Sequence, residues 1–163
     1  MNITTSGLLT LDGSKFIDSS VLNTKKQYLL KKGDILFNNT NSKELVEKTC
    51  YVDKDIKAVF SNHITRINVD EKIVRPKYLA MYLHTLWDSK YFLEKCKKWI
   101  GQVGIDLKEL ASLKIKIPTI KEQDEILEQL DKENDYIENQ KAVKNLFTFK
   151  KEEILKKIWK QNF

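Results

Sequence analysis

The sequence predicts an α+β or α/β fold. A compact domain of mixed β-sheet and packed helices fills residues 1–118, and a long projecting C-terminal helix over 119–163 forms an antiparallel coiled coil. Three observations predict it. Short apolar runs broken by turn residues fill positions 28–69, as strands do. Apolar residues at helical spacing follow Pro76. Neither proline nor glycine occurs between Thr119 and Phe163.

Apolar residues are sparse at first, around Leu8, Leu9, Leu11, Phe16 and Ile17, with turn chemistry at Asp12-Gly13-Ser14. A strand from about Tyr28 to Phe37 is interrupted by Lys31-Lys32-Gly33-Asp34, a tight turn into a fresh strand. Further strands are expected at Thr49–Val52, Ala58–Phe60 and Ile64–Val69. In the last, Thr65, Ile67 and Val69 alternate with Ile64, Arg66 and Asn68, which predicts one buried and one polar face. Pro76 opens a helix, where its missing N–H costs nothing. Leu79, Leu83, Leu86, Phe92 and Cys96 extend its apolar face to about Trp99. Gly101 and Gly104 bound a loop, and Asp106-x-x-Glu109 starts a short helix. Leu113, Ile115 and Ile117 alternate with lysines and predict a strand that Pro118 ends. Thr119-Ile120-Lys121-Glu122 is a capping box for the tail helix.

That tail spans about 60 Å at 1.5 Å per residue, too long for a domain of this size to cover. Its apolar ridge, with Ile126, Leu130, Ile137, Phe147, Ile154 and Ile158 as the candidate pairing residues, needs a partner. The charge is polarised along it. Residues 121–138 hold eight acids and two lysines, and 139–163 hold seven lysines and two acids. Helix dipoles favour such ends only within a turn. An antiparallel twin sets acid against base over the whole length, whereas a parallel twin sets like against like.

The two cysteines, Cys50 and Cys96, form no CxxC, which suits a reduced, cytoplasmic setting without structural zinc. No run approaches the roughly 20 apolar residues of a membrane span. The net charge of +6 is uneven: residues 1–118 carry 20 Lys+Arg against 13 Asp+Glu, and 119–163 carry 9 against 10. A basic first part fits a polyanionic partner, although basic surfaces also serve solubility. Catalytic motifs are scarce. With Pro76 and Pro118 as the only prolines, no methyltransferase tetrapeptide can be formed, and there is no P-loop or GxSxG. One enzyme pattern remains, Asp34 with Asp55-Ile56-Lys57, in the D…DxK form of a metal-dependent nuclease. The signal is weak, since such triplets arise by chance in a lysine-rich chain, and Gly33-Asp34 is better explained as a turn.

Several stretches, in order, carry a family resemblance: GDILFNNTNSKELVEKT, FSNHITRI, VRPKYLAMYL, GQVGIDLKELASLKIKIP and IKEQDEILEQLD. Together they resemble target-recognition domains of type I restriction–modification specificity (S) subunits. The resemblance implies a non-catalytic, cofactor-free recognition domain for double-stranded DNA, with a long spacer helix. A full subunit has two such units whose helices pair antiparallel and fix the gap between two half-sites. It docks methyltransferase (modification) subunits, which restriction subunits join. This chain resembles one half, which implies a homodimer through the tail. Three departures stand out. Glu47 replaces a usual glycine, Thr119 replaces a frequent proline, and Met1-Asn2-Ile3-Thr4 resembles the middle of a usual unit, implying a shortened recognition domain.

On that resemblance the DNA-binding candidates are Asn38, Asn39, Thr40, Asn41, Ser42, Lys43 and Lys48 in one loop. Asn62, His63 and Arg66 form a second polar stretch, and Gln102 lies between the two glycines. Asn and Gln bond adenine bidentately, Ser and Thr meet bases or phosphates, and lysines add sequence-independent affinity. The same Asn-rich run also suits plain turns, and Arg66 equally suits a local carboxylate. Lys25-Lys26, Lys31-Lys32 and Lys95-Lys97-Lys98 are backbone-contact or solvated lysines. A second reading keeps the family but not the DNA: a truncated specificity subunit that assembles with or regulates modification subunits.

Overall fold

The computed structural model describes residues 3–92, 94–99 and 102–161; the side chains of Val21, Asn23, Trp99, Gln102 and 158–161 lie outside that description. The chain divides into two units, Met1–Gln123 and Asp124–Phe163. In order the elements are α1 (Ser19–Thr24), a 3-10 turn (Lys26–Tyr28), β1 (Leu29–Leu30), β2 (Ile35–Asn38), β3 (Thr40–Asn41), β4 (Thr49–Tyr51), β5 (Ile56–Val59) and β6 (Ile64–Ile67). They continue with α2 (Pro76–Asp88), β7 (Lys97–Trp99), β8 (Gln102–Gly104), α3 (Leu107–Ala111) and α4 (Ile120–Gln161). Mixed small sheets with helices and a long C-terminal helix are thus as the sequence predicts.

The strands make an antiparallel sheet β4-β2-β6, another β3-β8-β7, and the pair β1-β5. The anticipated turn separates β1 from β2. Asp34 N–H donates to Lys31 O at 3.1 Å, its carboxylate accepts Lys31 N–H at 2.9 Å, and Gly33 takes φ +94°. All four residues of β2 are buried because both faces of its sheet are covered. Ile35 and Phe37 enter a cluster with Leu79, Leu83 and Phe92, while Leu36 joins Ile3, Leu30, Cys50 and Val52 on the other side. The polar face expected for β6 is corrected accordingly. Ile67 packs on the first cluster and Ile64 on the second, because the 3–9 segment and β1-β5 supply a second layer.

Two further expectations are corrected. The Pro76 helix stops at Asp88 rather than near Trp99. Lys90 takes φ +60°, Tyr91 N–H donates to Leu86 O at 3.0 Å, and Lys90 N–H donates to Trp87 O at 2.9 Å. This is a Schellman ending built without its customary glycine, so no breaker marked it. Phe92 is core for another reason: it meets the Phe37 ring edge-on at 5.9 Å. Cys96 then leads into β7, and the stretch expected as loop between the glycines contains β8; Gly101 itself and the Leu93 and Ile100 positions lie outside the described residues. Residues 113–117 join no ladder among the described residues. Leu113 and Ile115 pack against the first cluster as an extended segment, and one buried face is all that their alternation requires.

The capping box at Thr119 forms as expected, with Thr119 N–H donating to Glu122 Oε2 at 2.8 Å and Glu122 N–H to Thr119 Oγ1 at 3.3 Å. One turn on, Gln123 is fully buried. Its Oε1 accepts Arg75 N–H at 2.8 Å, and its Nε2 donates to Ile73 O at 3.1 Å and Pro118 O at 2.8 Å. One amide thereby satisfies the entry to α2 and the exit of the 113–118 segment. In the second unit, the described side chains of 124–157 are exposed apart from half-buried Leu127. Ile126 is 39% exposed and Phe147 70%. No described helix is long and apolar enough to cross a membrane.

Gln123→Ala removes all three bonds and strands buried main-chain groups. It is expected to lower stability by about 3 kcal/mol, read as a lower urea midpoint. An unchanged midpoint would show that the amide is dispensable.

Candidate nucleic-acid interface

The candidate loop begins where β2 runs out of apolar residues. Asn38 is fully buried. Its N–H donates to Lys48 O at 2.9 Å, its carbonyl accepts Glu47 N–H at 2.7 Å, and its Nδ2 donates to Leu45 O at 2.6 Å. These bonds close the neck of a loop over residues 39–47. Lys48 is also inside, with Nζ donating to Ile3 O, and burial lowers its pKa. Asn38 and Lys48 therefore face the protein interior, because the neck of the loop lies in the core rather than on its surface.

Asn39 has the most consequential position. Its N–H donates to His63 O at 3.0 Å and its carbonyl accepts Ile105 N–H at 3.0 Å. Its side-chain Nδ2 donates to Thr65 Oγ1 at 2.9 Å and Asn62 O at 3.3 Å. One residue thus ties the loop to the β5–β6 turn and to the chain leaving β8. The two polar stretches, 23 or more residues apart, become neighbours. Next, Thr40 and Asn41 form β3 opposite Gly104 and Val103 of β8, and β8 pairs in turn with Lys97 and Lys98 of β7. Asn41 Oδ1 accepts Ser42 N–H at 2.8 Å, and Ser42 O takes the N–H groups of Leu45 and Val46.

The edge so assembled is polar and basic. Lys43 and Asn62 are exposed, as are Lys97 and Lys98; Thr40, Asn41, Ser42 and His63 are half-buried. Lys97 pairs with Asp106 at 3.3 Å in an exposed contact that leaves it available. Gln102 has its backbone in β8, but its side chain lies outside the described residues. Sequence reasoning put Lys97 and Lys98 on a helix, and so could not place them beside Thr40 and Asn41. Only the β7-β8 pairing does that.

Arg66 is held inward. Its guanidinium pairs with Asp34 at 3.0 Å, donates to Leu29 O, and lies 4.9 Å from the Phe60 ring centroid. It clamps the β1–β2 turn, leaving little for a phosphate. The D…DxK pattern is accounted for by the same turn. Asp34 is taken by Arg66 and Lys31 N–H, and Asp55 accepts Lys32 N–H at 2.9 Å. Among the described residues no group of three or more His, Cys, Asp or Glu side chains could hold a metal ion.

Glu47, the residue in the usual glycine position, has φ +74° and is fully buried. Its carboxylate faces the interior, not a phosphate. Oε1 accepts the Cys96 thiol, and Oε2 has no partner among the described residues. Burial raises its pKa to about 6, against which the thiol bond works. Burial, then Glu47 itself, raises Cys96 to about 12.

The family model for the type I restriction modification DNA specificity domain matches residues 2–156. The chain belongs to that family. No curated protein matches it closely enough to stand as a named relative. That family is the DNA specificity domain of type I restriction–modification systems. The match covers both the first unit and most of α4, so the long helix belongs to the specificity domain and is no appendage to it.

Arg66→Ala leaves Asp34, 8% exposed, without its cation. Stability is expected to drop by about 3 kcal/mol, measured by urea denaturation. Arg66→Lys restores only part of it, because an ammonium on a shorter side chain lacks the flat guanidinium that lies over the Phe60 ring.

Proposed function

We propose that this type I specificity domain reads double-stranded DNA through the edge where the β2–β3 loop, the β5–β6 turn and β7-β8 converge. Residues 1–118 act as the reading domain and 119–163 as the spacer. Thr40, Asn41, Ser42, Lys43, Asn62, His63 and Gln102 are the base- and phosphate-contacting candidates, joined by Lys97 and Lys98. Asn38, Asn39, Lys48 and Arg66 hold the shape of that edge. The observation that carries this reading is the Asn39 junction, which gathers separate polar stretches and exposed lysines at one place. The domain performs no chemistry itself. In the cytoplasm, modification subunits bring methyl transfer to the DNA it selects, and restriction subunits join that complex.

The target is bipartite. A second copy docks along α4 in antiparallel sense, through Ile126, Leu130, Ile137, Phe147, Ile154 and Ile158, and the two reading edges meet half-sites separated by an unread gap. Exposure of Ile126, Leu130, Ile137, Phe147 and Ile154 supports it, as does the acidic-to-basic polarity of the helix; the Ile158 side chain lies outside the described residues. A second reading has a specific observation behind it. Because several of the candidate loop's polar groups are engaged within the protein, the chain would serve modification subunits as an assembly or regulatory module.

A reader binds duplex DNA with a log–log salt slope of about −0.9 per contacted phosphate. Fluorescence anisotropy should show each of Lys43→Ala and Lys98→Ala reducing that slope by about one without changing sequence preference. Salt-insensitive binding, or none, with intact association to modification subunits favours the second reading.

Light scattering at micromolar concentration should report a dimer for the full chain and a monomer after deletion of 124–163. A full-length monomer would overturn the pairing.

A further inference from the structure

The Glu47–Cys96 contact lies behind the DNA-facing edge, where the partly buried Cys96 borders the first apolar cluster and Glu47 is fully buried. Glu47 closes the 39–47 loop from below. Its N–H is bound by Asn38 O at 2.7 Å and its carbonyl accepts Thr49 Oγ1 at 3.1 Å. Cys96 immediately precedes β7, whose Lys97 and Lys98 pair with the strand that also pairs with Thr40 and Asn41. The side-chain contact therefore joins the loop to the far strand of the β3-β8-β7 sheet from behind.

The surroundings give a charge on Glu47 little support. The thiol is the one group bonded to its carboxyl among the described residues, and Oε2 is left bare. The adjoining Lys48 ammonium turns away to Ile3 O, and His84 of α2 spends its ring nitrogens on Thr49 N–H at 3.5 Å and Thr5 O at 3.0 Å. A buried carboxyl with one weak donor is costlier to hold ionised than protonated.

We propose that Glu47 is a proton-operated latch: uncharged, it stays buried in the neck of the polar loop behind β7, and ionisation, which the single thiol donor does not offset, releases the loop toward water. Where the DNA reading above holds, the latch regulates that same edge, which is better ordered when Glu47 carries its proton.

The sign follows from the raised folded-state pKa. The folded form binds the proton more tightly than the unfolded chain, so the favourable contribution is complete below the ordinary value of 4.5 and is lost as pH rises through about 6. The folding equilibrium constant is expected to fall about 30-fold across that window relative to Glu47→Gln, which has no proton to lose.

The test is carboxyl-carbon and amide NMR of the full chain without DNA, titrated from about pH 4 to about pH 8. Support is a glutamate carboxyl with its midpoint near 6, absent in Glu47→Gln, with the amides of Thr40, Asn41, Lys97 and Lys98 following the same midpoint. A carboxyl titrating near 4.5, or silent amides at those four positions, overturns the latch. Should Glu47→Gln fail to fold, Cys96→Ala serves: losing the thiol donor must move the midpoint upward, and an unmoved midpoint overturns it. Anisotropy with a random-sequence duplex then separates the two ideas. If the latch titrates but the chain binds no DNA at any pH, the DNA reading fails and the latch stands.

Discussion

Asn39 is the residue on which the arrangement of the first unit turns. A strand must end somewhere, and β2 ends by handing both backbone groups of Asn39 to chains outside its own sheet, His63 on one side and Ile105 on the other. The side chain repeats the connection to the β5–β6 turn. Without that junction the edges of the sheets β4-β2-β6 and β3-β8-β7 would be joined by core packing and the Glu47–Cys96 contact but by no main-chain bonds of Asn39. With it, three loops have fixed relative positions, a condition any surface must meet before it can discriminate among ligands.

The loop that follows shows how a polar run divides its work. Hydrogen-bonding capacity is the same for each Asn in the sequence, but burial is not. Asn38 and Lys48 form the neck, Asn39 the junction, and Thr40 to Lys43 the portion nearer solvent. The side-chain N–H groups of Asn38 and Asn39 are spent on Leu45 O, Asn62 O and Thr65 Oγ1, so the inner residues do not also offer those donors to a base. Glu47 is the acidic member of the neck, a carboxylate in a left-handed conformation with one oxygen bare, as the Asn38 and Asn39 side-chain oxygens also are. Such local conflict is commonest where function or regulation is built in.

Much of the fold was legible in the sequence where local chemistry decides structure. The Lys31–Asp34 turn, the Pro76 start of α2, the Asp106 cap of α3 and the Thr119 capping box all declare themselves within four residues. What remained hidden depended on distant partners or on a missing punctuator. The end of α2 uses a lysine where glycine is usual. β7 and β8 take their strand character from each other and from β3, and apolar spacing there mimicked a helix. The second layer over β6 comes from residues 3–9 and β1-β5, which no window around β6 contains. For the candidate site, the residue types were legible but their orientation was not. Nothing in NNTNS distinguishes the asparagine that faces the core from the one that faces water, and Arg66 could be assigned to Asp34 only after the turn brought them together.

The Gln123 amide has a consequence for how this region tolerates drift. Its three partners are main-chain groups at Ile73, Arg75 and Pro118, so it recognises a chain path and ignores which side chains decorate it. The three bonds survive exchange of those side chains, proline at 75 excepted because it has no N–H to give, provided that the backbone course and the glutamine persist. Variation at 73, 75 and 118 beside an unvarying position 123 is the evolutionary imprint such a lock leaves behind.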